Sequence, residues 1–162
     1  MFKPLAALIA ATTFAMPAVA RVEASTPLLL KTLNDYGITV RYNHSDCSNG
    51  FQGRYSTARV MDLCYSGSPR AEDHDTVRHE TAHVLQHCAA IRRGANGIQP
   101  LAADTTTRLN WVRKVLPSRK ISVIQENYPA HHHQVELEAF AMAHHYTAND
   151  LISYIKLWCI KP

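Results

Sequence analysis

The segment from Thr76 to Ile91 constrains the fold of this chain most, because it carries two separate patterns at helical spacing. One pattern is an apolar stripe formed by Val77, Thr81, Val84, Leu85 and Cys88. The other pattern is polar and is formed by His79, Glu80, His83 and His87. The spacing predicts an α-helix that turns the apolar stripe to the hydrophobic core and its polar side to a different environment.

The polar side contains the sequence His79-Glu80-Thr81-Ala82-His83, in which the two histidines lie one helical turn apart on the same face. Two imidazoles placed in this way reach one ion, and zinc suits them because neutral imidazole nitrogen binds it at about 2.0–2.1 Å. Glu80 can direct its carboxylate to a water molecule on that ion and take its proton as a general base. The motif therefore predicts one Zn²⁺ held by His79 and His83, with Glu80 as the catalytic residue.

The first residues have the layout of a secretory signal peptide. Lys3 precedes an apolar run from Leu5 to Met16, and small residues follow it, so we expect cleavage after Ala20 or Ala24. The prediction is a signal peptide over residues 1–24 and a single domain over residues 25–162. No later segment approaches the roughly 20 apolar residues of a membrane-spanning helix, so we expect a secreted or periplasmic protein with no integral membrane segment.

Charge and cysteine content support this interpretation. The formal net charge is +4, which is too mild to indicate a nucleic-acid partner. The four cysteines form an even set, and cysteines in an exported chain are expected to pair. Four cysteines allow three pairings. Proximity in the expected fold favours Cys47–Cys64 across a hairpin-like excursion, and Cys88–Cys159 between the histidine-bearing helix and the C-terminal helix.

The remaining elements predict an α+β fold with a small N-terminal antiparallel sheet packed on the histidine-bearing helix. The sequence predicts a helix over Pro27–Tyr36, a strand over Ile38–Tyr42 and a second strand within Tyr55–Tyr65. Further helices are expected over 104–116, 131–145 and 151–160, the last begun by a capping box of Thr147 and Asp150. The segment 118–127 is ambiguous between helix and strand.

The His79–His83 motif resembles that of the zincins, the metallopeptidases that carry H-E-x-x-H on their active-site helix. The metzincin extension is absent, because Gln86 and Ala89 stand where that pattern has Gly and His. The downstream sequence Glu136-Leu137-Glu138-Ala139-Phe140-Ala141 is similar to the second helix of small gluzincin-like peptidases, in which a glutamate completes the zinc site. The resemblance implies a zincin-like fold and a His, His, Glu ligand set.

The choice of the third ligand falls between two glutamates that a helix separates by about 200°, so that both cannot face one ion. The resemblance favours Glu138, since in that pattern the glutamate just before alanine is the ligand. Small residues at 139 and 141 would let this helix approach the histidine-bearing helix closely. We therefore expect Glu138 to be the third zinc ligand and Glu136 to face away.

The resemblance also implies a strand above the cleft that lies antiparallel to bound substrate, and Arg59–Cys64 is the candidate, with an interior strand as the alternative. Tyr128, or a histidine from the run 131–133, could stabilise the oxyanion; packing and solvation are the alternatives. The resulting prediction is an exported zinc endopeptidase acting on peptide or protein substrates. The alternative is a non-catalytic secreted zinc-binding or protein-interaction module.

Overall fold

The computed structural model describes residues 18–65 and 71–161, and the predicted signal peptide over residues 1–24 lies largely outside these ranges. In the N-terminal part, the elements are α1 (Ala18–Asp35), β1 (Thr39–Tyr42), a 3-10 helix (Ser45–Asn49), β2 (Gly53–Ser56) and β3 (Val60–Leu63). The C-terminal part comprises α2 (Ala71–Arg92), α3 (Thr105–Val115), α4 (Ser118–Asn127), a 3-10 turn (Ala130–His132), α5 (His133–His145) and α6 (Ala148–Trp158). The predicted α+β class is confirmed.

The sheet is mixed, which corrects the prediction of an antiparallel sheet. Its strand order is β1-β3-β2, with β1 parallel to β3 and β2 antiparallel to β3. A tight turn containing Arg59, whose φ is 62°, joins β2 to β3 as a hairpin. Because β3 is hydrogen-bonded on both sides, the predicted substrate-binding strand over Arg59–Cys64 is an interior strand, and its exposed edge was predicted wrongly.

Local sequence signals predicted some helix boundaries correctly and others not. The capping box of Thr147 and Asp150 starts α6 as predicted, and the ambiguous segment 118–127 is the helix α4. Helix α1 begins before the predicted start at Pro27 and carries this proline inside it. It ends at Asp35, one residue before the predicted end at Tyr36, and Gly37 follows with a φ of 76°, the left-handed conformation that glycine adopts without a steric penalty.

Helix α2 lies at the centre of the molecule. Its buried residues Val77, Val84 and Leu85 join one core cluster with side chains from α1, the sheet, α5 and α6. A second, smaller cluster connects α5 to α3 and α4 through Val112, Ile124 and Leu137, among others. Helix α5 is therefore packed on two sides, and it packs directly along α2. This pairing brings the polar side of α2 to face α5.

Two disulfides join the elements. Cys47 is bonded to Cys64, with 5.4 Å between their Cα atoms, and Cys88 is bonded to Cys159, with 5.0 Å between theirs. These are the two pairs that the sequence predicted. The first connects the 3-10 helix to the end of β3, and the second connects α2 to the C-terminal end of α6. Within residues 18–65 and 71–161, no helix has the length and apolar character needed to cross a membrane.

Candidate metal centre

Three side chains from two helices converge at the interface of α2 and α5. The Nε2 atoms of His79 and His83 lie 3.1 Å apart. The carboxylate of Glu136 lies against both, with Oε2 3.3 Å from His79 Nε2 and Oε1 3.6 Å from His83 Nε2. One donor atom from each of these three residues can be chosen so that all lie within 4.8 Å of one another. The arrangement is a triangle of two imidazole nitrogens and a carboxylate.

The size of this triangle fits a small tetrahedral cation. Ligand atoms about 2.0–2.1 Å from a tetrahedral zinc ion lie roughly 3.3–3.4 Å from each other, and the three observed separations bracket that value. Glu136 Oε2 is buried and forms no hydrogen bond of acceptable geometry among the described residues. A buried carboxylate oxygen without such a bond is costly unless a cation or another donor satisfies it. The residues present therefore fit a zinc site.

The electrostatics of the cluster favour a cation at the same point. Burial acts to raise the pKa of Glu136, but its closeness to the imidazoles of His79 and His83 outweighs this and lowers the pKa to about 2. For His83, burial acts to lower the pKa, while the carboxylates of Glu136 and Glu80 raise it above its ordinary value. The Glu136 carboxylate is therefore ionised at neutral pH, in the form that binds a metal.

The prediction that Glu138 is the third ligand is wrong in the structure, because this side chain points to the opposite side of α5. Glu138 Oε2 accepts hydrogen bonds from Gln86 Nε2 at 2.9 Å and from the backbone N–H of Leu101 at 2.7 Å. Its Oε1 accepts a bond from the backbone N–H of Ala102 at 3.3 Å. Helix α5 is rotated so that Glu136, which we expected to face away, meets the two histidines.

The two histidines are held in different ways. His83 Nδ1 lies 2.8 Å from Gln86 Oε1, which can only accept, so this nitrogen carries the proton and Nε2 is free for a ligand role. His79 Nδ1 is buried and has no hydrogen-bond partner among the described residues. The ring of His79 packs instead on Phe140, with 4.3 Å between the ring centroids. Sequence reasoning missed both supports, although Gln86 stands three residues after His83, where a helix brings side chains together.

Glu80 lies beside this group on α2, facing β2. Burial raises the pKa of the Glu80 carboxyl, and the imidazoles of His79 and His83 and the backbone N–H of Tyr55 act in the opposite direction. Strand β2 approaches closely at Gly53, where an added Cβ would lie 3.0 Å from Glu80 Cγ and 3.2 Å from its Oε1. Glycine at this position is what allows β2 to lie so near the histidine-bearing helix.

A cleft runs past the metal-binding group on both sides. One cavity of about 520 Å³ and another of about 540 Å³ share Phe51, Gly53, His79, Glu80 and Tyr128 in their walls. Strand β2 forms one wall, and α2, α5 and the segment around Tyr128 form the others. A substrate that passed through both cavities would therefore cross the three metal-binding side chains and Glu80.

Tyr128 is the other polar side chain common to both cavities. Burial, and then the charges of Glu136 and Glu80, raise the pKa of its hydroxyl to about 12. The phenol therefore remains protonated, and it can donate a hydrogen bond in the cleft. Its ring rests on Phe140, with 6.0 Å between centroids. From the sequence, both this role and packing were open for Tyr128.

The other histidines considered from the sequence lie outside the three-residue group. His131 and His132 are exposed, and His132 lines the edge of one cavity. His133 Nε2 donates to the backbone carbonyl of Tyr128 at 2.7 Å, so it supports the segment that carries the phenol. His87 Nδ1 is 2.8 Å from the Tyr55 hydroxyl and ties α2 to β2.

Comparison of the chain with models of protein families, with curated proteins and with solved structures finds no match in any of the three.

Proposed function

We propose that the protein is an exported zinc-dependent peptidase, with His79, His83 and Glu136 as the zinc ligands and Glu80 as the general base. The observation that carries the proposal is the convergence of the three side chains: the two Nε2 atoms lie 3.1 Å apart, and the two carboxylate oxygens of Glu136 lie 3.3 and 3.6 Å from them, close to the ligand spacing of tetrahedral zinc. Three protein ligands leave a fourth position for water or substrate, as in catalytic rather than structural zinc sites.

The roles of the neighbouring side chains follow from their positions. When bound, Zn²⁺ would activate a water molecule and polarise the carbonyl of the bond to be cleaved. Glu80 would accept the proton of that water and pass it to the leaving amine, and its raised pKa suits a group that must both take and release a proton. Tyr128 would donate its hydroxyl hydrogen bond to the oxyanion of the tetrahedral intermediate.

The edge of β2 offers a binding mode for an extended peptide. The backbone of Gln52 is bonded to Cys64, so in the alternating antiparallel ladder Gly53 and Tyr55 turn their N–H and C=O groups away from β3. The bond from the Tyr55 N–H to Glu80 agrees with this direction. Because the Tyr55 N–H is taken by Glu80, a peptide added beside β2 would gain main-chain hydrogen bonds from Gly53 and the Tyr55 C=O within the cleft, so we propose peptides or unfolded protein segments as substrates.

The two disulfides support export, because such bonds persist in oxidising compartments. A secreted or periplasmic location also agrees with the layout of the first residues. The position of Glu80 argues against a protein that only stores zinc, since storage does not need a buried carboxylate in the wall beside the metal ligands.

The test is zinc analysis combined with cleavage of a mixed peptide library by the purified protein. We expect about one zinc per chain, cleavage that stops when a chelator removes the metal, and recovery when zinc is returned. Glu80→Gln should keep the zinc and lose roughly 100- to 10,000-fold in turnover, because an amide cannot accept the proton. Wild-type protein without zinc, or Glu80→Gln with full turnover, would overturn the proposal.

A further inference from the structure

A chain of hydrogen bonds runs from the backbone behind the candidate metal centre to one of its ligands. The N–H groups of Leu101 and Ala102 donate to the carboxylate of Glu138, which also accepts from Gln86 Nε2. The other end of the Gln86 amide, Oε1, lies 2.8 Å from His83 Nδ1. Gln86 is fully buried and Glu138 is 3% exposed.

The direction of donation along these hydrogen bonds is fixed by the backbone N–H groups of Leu101 and Ala102. A backbone N–H can only donate, so the Glu138 oxygens accept. The Gln86 amide nitrogen is then committed to two acceptors, Glu138 Oε2 at 2.9 Å and the carbonyl of Val135 at 3.0 Å. Reversing the Gln86 amide would place its oxygen against both of these acceptors, so the reversed orientation is disfavoured.

The fixed amide orientation determines the protonation pattern of His83. With Gln86 Oε1 toward the ring, Nδ1 of the neutral imidazole must hold the hydrogen, and Nε2 must offer its lone pair to the site. We infer that Gln86 and Glu138 are positioning residues that hold His83 in the tautomer and ring orientation needed for metal binding. The inference rests on the proposed zinc site, but it concerns the tautomer and ring orientation of His83 before the metal binds.

His79 provides the internal contrast. Its Nδ1 has no hydrogen-bond partner among the described residues, and its ring is supported by Phe140 packing alone. His83 is therefore the prearranged ligand of the pair. Partners of this kind orient metal-binding histidines, and their loss commonly weakens metal affinity about 10- to 100-fold.

The first experiment needs no variant. Long-range ¹H–¹⁵N NMR on the zinc-free wild-type protein, at alkaline pH where imidazoles are neutral, should show His83 with its hydrogen on Nδ1. A role of Gln86 in packing alone would not select one tautomer. A dominant Nε2–H form of His83 would overturn the inference.

The second experiment is a competitive zinc titration of Gln86→Met, which keeps a similar side-chain length but removes the amide. We expect zinc affinity to fall about 10- to 100-fold. Gln134→Met is the matched control. Gln134 is an exposed glutamine on α5 that accepts a hydrogen bond from Arg108, and it takes no part in the hydrogen bonds that lead to His83. Its zinc affinity should stay within about twofold of wild type.

A loss of stability is separated from a loss of positioning by Leu29→Ala, which removes a fully buried side chain in α1. This variant should lower the unfolding free energy and leave zinc affinity within about twofold. Gln86→Met with wild-type zinc affinity would overturn the inference. Wild-type protein that binds zinc but cleaves no peptide would instead refute the peptidase proposal, and the tautomer and affinity measurements would still test the positioning role.

Discussion

The α2–α5 helix pair has buried polar side chains on two sides, a cleft side and a rear side, and the two sides differ in whether these side chains are hydrogen-bonded. On the cleft side, His79 Nδ1 and Glu136 Oε2 are buried without a hydrogen-bond partner among the described residues. On the rear side, Gln86 and Glu138 are buried in a network that includes the backbone N–H groups of the segment after α2. Gln86 and Glu138 are also more enclosed, at 0% and 3% exposure, than His79 and Glu136, whose side chains are 12% and 13% exposed.

The difference indicates where a ligand completes the structure. A buried polar group costs free energy unless it is paired, and on the cleft side the Nε2 atoms of His79 and His83 and the carboxylate of Glu136 converge where a cation could pair with them. A paired network needs nothing further, and its contribution is to stability and orientation. We therefore expect substitutions on the cleft side to act mainly on metal binding and activity. Substitutions on the rear side should lower stability and, through the orientation of His83, weaken metal binding to a smaller extent.

The largest expected effect is outside the cleft, at the disulfide Cys88–Cys159, which joins α2 to the end of α6. Replacing both cysteines by alanine should lower the unfolding free energy by about 4 kcal/mol in the chain-entropy model, because the bond closes a long loop. Replacing Cys47 and Cys64, which are 17 residues apart, should cost about 3 kcal/mol. Denaturant unfolding measures both values.

Loss of Cys88–Cys159 should leave the zinc affinity unchanged at denaturant concentrations where the protein stays folded. Zinc binding that disappears while the unfolding free energy is unchanged would show that this disulfide supports the metal site rather than the stability of the fold.

The next largest effect is expected for Glu136→Ala on the cleft side. Zinc affinity should fall by more than about 100-fold, because the change deletes a direct ligand rather than one of its supports. The zinc-free protein should also lose some stability at neutral pH, because the contacts with the His79 and His83 imidazoles that lower the pKa of Glu136 are removed. Competitive zinc titration and denaturant unfolding measure the two quantities.

Glu138→Ala is the matched variant on the same helix, and its expected result is the reverse. It leaves two backbone N–H groups and the Gln86 amide without their acceptor, at a cost of about 1–3 kcal/mol for each buried group. Its effect on zinc should be smaller than that of Glu136→Ala. The opposite ranking of the two variants in zinc affinity would contradict the observed rotation of α5.

This pair of glutamates also shows which part of the site could be predicted from the sequence. His79, Glu80 and His83 were identified because their relation is local, and helical geometry alone puts them together. The choice between Glu136 and Glu138 depends on how α5 is rotated. Six of its thirteen residues are buried, in the run Leu137–Ala139 and again in Ala141–Ala143, so the helix has no single apolar stripe to set its orientation. Packing from α2 on one side and from α3 and α4 on the other decides it.

The strand pairing of the sheet could not be predicted from local sequence patterns either. Neither pairing was predicted: the sequence indicated one strand within Tyr55–Tyr65, where the structure has the end of β2, a turn at Arg59 and β3. The parallel pairing of β1 with β3 joins segments that a long connection separates. That nonlocal pairing makes β3 the central strand and leaves β2 as the edge beside the cleft. Alternation in the sequence describes the faces of a strand, but it does not tell which neighbours a strand has.

Tyr128→Phe tests whether the cleft side contributes a hydrogen bond to the reaction. With its pKa raised to about 12 by burial and by Glu136 and Glu80, the phenol is protonated throughout the neutral range. Losing this donor should lower kcat by up to about 100-fold, with little change in KM or zinc content. Tyr146→Phe is the control, because burial also raises its pKa to about 12 but it stacks on Trp111 outside the cleft. Equal effects of the two variants on kcat would show that Tyr128 acts through packing.

The smallest effect is expected for Gly53→Ala, which tests how closely β2 is fitted to the metal-binding helix. A Cβ at this position would lie 2.5 Å from Thr76 Cγ2, well inside van der Waals contact, and 3.2 Å from Glu80 Oε1. Overpacking of this kind costs roughly 1–3 kcal/mol, and Glu80 must shift with the strand. We expect a loss of about 1 kcal/mol in unfolding free energy and a several-fold decrease in kcat/KM.

The clash with Thr76 can be separated from the displacement of Glu80. Thr76→Ser removes the Cγ2 methyl and retains the hydroxyl that donates to Gln52 Oε1, so the single variant should behave nearly as wild type. Added to Gly53→Ala, it should restore most of the stability, because the shortest contact has gone. It should restore less of kcat/KM, since the new methyl still presses on Glu80. Full recovery of both would show that only the strand, and not the general base, is sensitive to this contact. No effect of Gly53→Ala on either quantity would show that β2 does not approach α2 as closely as the structure places it.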